Sequence, residues 1–126
     1  MIAYFDTQAL VWLAQGSLDQ ISPRVNRAMQ QAELLFSPIV LLEIEYLYEI
    51  KRCKRPARDI QTKVEHELGV RLCDLPFSTI AEAALDEKWT RDAFDRIIVA
   101  QARLNGLAPL ISSDEEIGKH YPRTVW

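Results

Sequence analysis

The sequence predicts an α/β domain: a central, mainly parallel sheet of four to five strands flanked by helices. Three observations predict it. Short apolar runs alternate along the chain with longer segments of helical period, and strands that alternate with helices imply strand–helix–strand units in a parallel sheet. The chain has 126 residues, 48% of them hydrophobic, which is enough for one domain with a real core and too little for two. The helix ends carry their own start and stop residues, so the alternation has punctuation as well as period.

The elements follow in order. Residues 2–5, Ile-Ala-Tyr-Phe, form a short, fully apolar strand, and residues 7–14 a helix. Ser22-Pro23 opens a second helix, with proline at the first helical position, that runs to about residue 32. Residues 34–37 are the second strand, and Pro38 leads into a helix over residues 39–50. A helix over residues 58–68 stops at Gly69, a C-terminal cap. Residues 70–73 are a third strand, broken by Asp74-Leu75-Pro76. A short helix at 78–85 and a buried helix at 95–104 follow, the latter stopped by Asn105-Gly106. Residues 110–112 form a fourth strand, 115–119 a short helix and 124–126 an edge strand. No internal repeat, low-complexity tract or linker interrupts them.

Composition narrows the partners. The net charge is −3, so any contact with nucleic acid has to be local rather than carried by the overall field. Cys53 and Cys73 are too few and too dispersed for a disulfide framework, and no CxxC spacing exists. No apolar run approaches a membrane span, and Met1 opens directly into a strand instead of a basic-then-apolar leader. The expectation is a cytoplasmic chain that makes no membrane contact.

Four carboxylates carry the chemistry. Asp6 follows the first strand and Asp114 the fourth, after two serines; parallel sheets gather ligands at the carboxyl ends of their strands. Asp95 opens the buried helix, and Glu43 lies inside the helix over residues 39–50. Such acids could converge on one hard cation, Mg2+ or Mn2+, held by oxygen ligands. At ~100° per residue, Ile39, Val40, Leu42, Tyr46, Leu47 and Ile50 form one broad apolar face with Glu43 near its middle, while Glu45 and Glu49 fall on the far side. A buried carboxylate is costly unless paired, hydrogen-bonded or metal-bound, so the plain alternative for Glu43 is an ion pair with a core arginine. Asp95 shares a stripe with Ile98, Val99 and Ala102; its plain alternative is a first-turn acid favoured by the helix dipole. Asp92 could cap that helix, and Asp6 the helix after the first strand. Ser113-x-x-Glu116 fits a capping box with Asp114 in its first turn. Each alternative explains one acid, and none explains their joint placement.

Lys51, Arg52, Lys54 and Arg55 form the only dense basic run. They read either as contacts to nucleic-acid phosphates or as a solvated helix end. Arg96 and Arg103 share one helical stripe and could reach a phosphate or pair with the acids. His66 and His120 lie in segments that read as surface, so no histidine is a candidate base.

The segments YFDTQALVW, LLEIEYL, RDAFDRIIVAQA and LISSDEEI, in this order and at these separations, resemble a PIN-domain protein, and more narrowly the VapC-like ribonuclease toxins of bacterial toxin–antitoxin pairs. The resemblance covers nearly the whole chain. Its most specific part is DAFDRIIVAQA, which matches the family's D-x-F-D-R-x-x-x-A-Q-A pattern. Ala93 stands where a proline is frequent, and Ser112 where the family often has threonine. The resemblance implies a three-layer α/β/α PIN-like fold over residues 1–126 and a metal-dependent (Mg2+ or Mn2+) endoribonuclease, with tRNA the leading substrate. It carries an acidic site over to Asp6, Glu43, Asp95 and Asp114. Asp6, Asp95 and Asp114 would hold metal and Glu43 would orient the attacking water. Asp92, the first acid of the D-x-F-D segment, would support them beside Thr7, Arg96 and Ser112; the two hydroxyls could bond a ligand carboxylate or a phosphate. The resemblance also implies a homodimer and a tight complex with a cognate antitoxin, which could set an arginine against the acids. Trp12, Leu13, Tyr46 and Tyr48 are candidate contacts.

Other readings compete. A receiver or phosphatase-like domain would want paired acids at the first strand or a lysine close after the last, and Asp6 is followed by Thr7-Gln8. A catalytically weak PIN-like module that mainly binds an antitoxin or other partner would have lost acids, and this chain keeps them. A DNA-directed nuclease of the same fold stays open, because nothing here reads a 2′-hydroxyl.

Overall fold

A computed structural model describes residues 1–16, 19 and 21–126. In chain order the elements are β1 (Ile2–Phe5), α1 (Thr7–Gln15), α2 (Pro23–Gln31), β2 (Glu33–Phe36), α3 (Ile39–Glu49), α4 (Ala57–Leu68), β3 (Arg71–Leu72), α5 (Phe77–Ala84), α6 (Ala93–Leu104), β4 (Leu110–Ile111), α7 (Glu115–His120) and β5 (Thr124–Val125). Every expected element is present, and the ends differ by the residue or two over which helices and strands fray. The expected punctuation holds. The Ser22 side chain caps α2 ahead of Pro23, and Gly69 ends α4 at φ 66°, a left-handed turn that favours glycine.

The five strands run in the order β3-β2-β1-β4-β5, and every neighbouring pair is parallel. In β1, consecutive residues Ala3, Tyr4 and Phe5 are all buried, as are Leu34, Leu35 and Phe36 in β2. Successive strand side chains point to opposite faces, so both faces of the sheet are covered and the architecture has three layers. That is why these runs read as unbroken apolar stretches.

The chain first builds outward from β1 through β2 to β3, then returns to place β4 and β5 on the other side of β1. The reversal lies between β1 and β4. In open α/β sheets such a switch point opens a crevice at the carboxyl ends of the strands, where ligands bind. Here the crevice is bounded by Asp6, whose backbone N–H donates to Ile111 O at 3.1 Å.

Three sequence expectations are corrected by the packing. The face of α3 that meets the core is Val40 and Ile44, with Leu47 half-buried, whereas Leu42, Tyr46 and Ile50 are exposed. Glu43 sits on the edge of the buried stripe, one residue before Ile44. Glu45 is not a free acid on the far side: its Oε1 accepts the Ala57 N–H at 3.0 Å and satisfies the start of α4, where Pro56 offers no side-chain cap. Leu13, expected as an exposed contact, is buried, and Trp12 is half-buried with its ring 5.7 Å from that of Trp126.

Candidate active site

Asp6 leaves β1 in an extended conformation and becomes the N-cap of α1; its Oδ1 accepts the Ala9 N–H at 2.8 Å. The capping role is therefore real, yet it uses only one oxygen. Oδ2 accepts the Ser112 hydroxyl from across the β1–β4 crevice. Asp6 is 4% exposed. Burial pushes its carboxyl up to about 6; the hydrogen bonds from Ser112 and Ala9 oppose this and the nearby Asp114 charge adds to it.

Asp114 stands after β4 as the N-cap of α7, with Oδ1 accepting the Ile117 N–H at 3.0 Å. This corrects the capping box expected from Ser113, which is exposed. Asp114 has the extended backbone that a cap requires, so it precedes the first turn instead of lying in it. Ser112 holds the two post-strand acids in register: its Oγ donates to Asp6 and accepts the Asp114 N–H at 3.1 Å.

Glu43 reaches in from α3, and its Oε1 accepts the Thr7 hydroxyl. Burial raises its carboxyl above the usual range; the Thr7 hydrogen bond opposes the shift, and the charges of Asp92 and Asp6 increase it. None of the ion pairs among the described residues includes Glu43, so the core-arginine alternative does not hold. Thr7 and Ser112, both expected as hydroxyl donors, each serve a carboxylate of this cluster.

Asp92 is the N-cap of α6, and its Oδ1 accepts the Asp95 N–H at 3.1 Å. Asp95 lies in the first turn with its carboxylate free of hydrogen bonds and ion pairs among the described residues. Burial is the main cause that pushes this carboxyl up to about 7, and the charges of Asp92, Asp114, Glu43 and Asp6 each add to it. The first-turn alternative is correct as a position and insufficient as an account, because the dipole effect would favour the ionised form. Asp95 is the point at which the fields of all the other acids meet. Carboxylate oxygens suit a hard divalent cation. Among the described residues, no group of three or more His, Cys, Asp or Glu side chains is arranged to hold a metal ion.

The basic residues fall elsewhere. Lys51, Arg52, Lys54 and Arg55 are exposed. Lys54 and Arg55 line a cleft of about 860 Å3 with Ala14, Gln15, Lys63 and His66. That cleft lies at the C-terminal end of α1, whose nine residues at ~1.5 Å each set it roughly 13 Å along the helix from Asp6. Arg96 Nε donates to Thr90 O at 2.8 Å. Arg103 makes no ion pair with the site acids among the described residues, so one of the two roles the sequence left open to it is not taken. Its guanidinium pairs with the buried Glu87 at 2.9 Å and lies 5.1 Å over the Tyr121 ring. His120 is exposed as expected, but its ring is stacked on Trp89. Neither contact is legible in the sequence, since the partners are distant along the chain.

The PIN domain family matches residues 3–121. The chain belongs to the PIN-domain family. PIN domains are generally nucleases, and the acid cluster described above lies at the carboxyl edge of this PIN domain's sheet. Two solved structures share the fold. One, a toxin–antitoxin complex from Klebsiella pneumoniae, has a chain 21% identical, with 98% of this chain and 96% of that one covered and a TM-score of 0.60. The other, VapBC2 from Rickettsia felis bound to a DNA fragment from their promoter, has a chain 18% identical, with the same coverage of 98% and 96% and a TM-score of 0.66. No curated protein matches the chain in sequence. Among the described residues, no helix of this PIN domain is long and apolar enough to cross a membrane.

Proposed function

We propose that this PIN domain is a metal-dependent endoribonuclease, the toxin of a toxin–antitoxin pair, which acts in the cytoplasm as one domain over residues 1–126 with tRNA as its leading substrate. The observation that carries the reading is the convergence of Asp6, Glu43, Asp92, Asp95 and Asp114 on one crevice, where burial and neighbouring charge raise the carboxyls of Asp6, Glu43 and Asp95 and no cation among the described residues is paired with any of the five. Charges so placed are costly unless something positive relieves them.

The donor set is all carboxylate, without thiolate or imidazole, and fits Mg2+ or Mn2+. Asp6, Asp95 and Asp114 would hold the ion, which when bound polarises phosphoryl oxygens and acidifies water. Glu43, held by Thr7, would orient the attacking water, and burial raises its carboxyl in the direction that suits a proton acceptor. Ser112 keeps Asp6 and Asp114 at a fixed spacing across the crevice. Arg96 spends Nε on Thr90 O and leaves its terminal nitrogens for a phosphate. Lys51, Arg52, Lys54 and Arg55 add salt-dependent affinity for the RNA backbone away from the cut.

The similar chains that belong to toxin–antitoxin complexes support an antitoxin partner. An arginine of that partner, bidentate on a site carboxylate, would relieve the same crowded charge. Homodimerisation is supported by the exposed stripe Leu42, Tyr46 and Ile50, spaced at i, i+4 and i+8 on α3 and 60%, 50% and 43% exposed. A second reading, a catalytically weak module that acts mainly by binding a partner, is favoured by one observation: among the described residues, no three acids stand ready to hold an ion. Purified chain freed of antitoxin separates the two. With Mn2+ supplied, RNA should be cut, EDTA should stop the cutting, and Asp6→Ala and Asp95→Ala should abolish it. Cutting by Asp6→Ala at the wild-type rate would refute the site, and a protein that cuts neither RNA nor DNA would favour the binding module.

A further inference from the structure

The segment between α5 and α6 is tied to both α6 and α7 by side chains that the acid site does not use. Glu87, 5% exposed, pairs through its Oε1 with Arg103 of α6 at 2.9 Å, and that guanidinium lies over the ring of Tyr121, the residue that ends α7. Two residues on from Glu87, Trp89 stacks flat on His120 at the end of α7, with centroids 5.0 Å apart and ring planes 10° apart. The His120 Nδ1 lies 2.9 Å from Glu116 O, which fixes the ring against its own helix. Both contacts line one cleft of about 410 Å3 between the segment, α6 and α7.

What these contacts connect gives them meaning. Trp89 leads directly into Thr90, whose carbonyl accepts Arg96 Nε at 2.8 Å and whose hydroxyl accepts the Asp92 N–H at 3.1 Å. Asp92 in turn caps the amide of Asp95 at 3.1 Å. At the other side of the brace, α7 begins at Asp114. An unbroken run of contacts thus joins the acids at the start of α6 to the acid at the start of α7. These acids repel one another, so something must hold the two helix starts at a set spacing. We infer that the brace formed by Trp89 on His120 and by Glu87–Arg103 over Tyr121 is a positioning device for the acidic site: it fixes Asp92 and Asp95 relative to Asp114. This inference rests on the metal-site reading above. Trp89 and His120 are positioning residues; neither is argued to touch RNA or metal.

The test is Mn2+ affinity, read by calorimetry well below the melting temperature, beside Trp fluorescence, which reports the stack. His120→Ala removes the stack and should weaken Mn2+ about tenfold, the lower end of what loss of the supports behind metal ligands costs. His120→Phe keeps a flat ring on Trp89 and should restore affinity to within about twofold, which a merely structural loss of the histidine would not do. Lys119→Ala, on the same helix but outside the brace, should leave affinity unchanged. Wild-type affinity in His120→Ala with a changed Trp signal would overturn the positioning role while leaving the metal site intact. A wild type that binds no Mn2+ would overturn the metal reading itself and this inference with it.

Discussion

Asp6→Asn should stabilise this protein in the absence of added divalent metal, and only above the acid range. Asn caps a helix about as well as Asp, so the bond from the Ala9 amide survives, and the amide can still meet the Ser112 hydroxyl. What disappears is the buried charge. Burial lifts the Asp6 carboxyl from 3.8 to about 6, roughly two units at about 1.4 kcal/mol each, or ~3 kcal/mol. The sign follows from linkage. A carboxyl raised in the folded state holds its proton to higher pH than in the unfolded chain. Its contribution is intact below about 4 and is lost as pH rises through about 6. Wild type pays this loss and Asp6→Asn does not. Group by group the chain is 126 residues long, and a domain of that size shifts by about 3–5 °C per kcal/mol. Thermal melts in EDTA should therefore place Asp6→Asn about 10 °C above wild type at pH 8, with the gap closing towards pH 4. Saturating Mg2+ should narrow the gap at pH 8 by stabilising wild type alone. A mutant that melts at or below wild type at pH 8, or a gap that does not change with pH, would refute the electrostatic account and leave Asp6 as a cap and nothing more.

Three further outcomes follow from the same geometry. Ser112→Ala removes the hydroxyl that lowers the Asp6 carboxyl, so Asp6 should titrate at still higher pH by carboxyl NMR, and an unmoved Asp6 would contradict the bridge. Changing Lys51, Arg52, Lys54 and Arg55 to Gln should weaken RNA binding and flatten its salt dependence by up to about four phosphate contacts, while the single-turnover rate at saturating RNA changes little; a lost rate at unchanged affinity would move these residues into the chemistry. Leu42→Glu with Tyr46→Glu puts two charges on the exposed stripe of α3 and should leave a folded monomer in light scattering where the proposed reading expects a wild-type dimer; an unchanged dimer mass would place the contact elsewhere, and a monomeric wild type would refute the dimer.

The order of elements was legible in the sequence because each is short and locally marked. Unbroken apolar runs, Ser22-Pro23 and Gly69 act over a few residues, and β1 to β5 appear where those marks lie. The acids were legible for the same reason. Asp6 and Asp114 follow apolar strands, and Asp92 and Asp95 begin a helix, so the caps at Asp6 and Asp92 can be read from neighbouring residues, whereas the cap of α7 is Asp114 and not the expected Ser113.

Other features needed the tertiary structure. Helix α3 is apolar on two sides, Val40 and Ile44 on one and Leu42, Tyr46 and Ile50 on the other; a helical period cannot say which side meets the sheet when both would gain by burial. Arg103 could have met any acid within reach, and the fold set Glu87 beside it. The raised carboxyl of Asp95 depends on burial and on charges at Asp92, Asp114, Glu43 and Asp6, four positions spread over most of the chain. Local sequence governs caps and turns because those bonds span three or four residues. Which charges face one another is a matter of distance in space, and that is decided only when β1 and β4 come side by side.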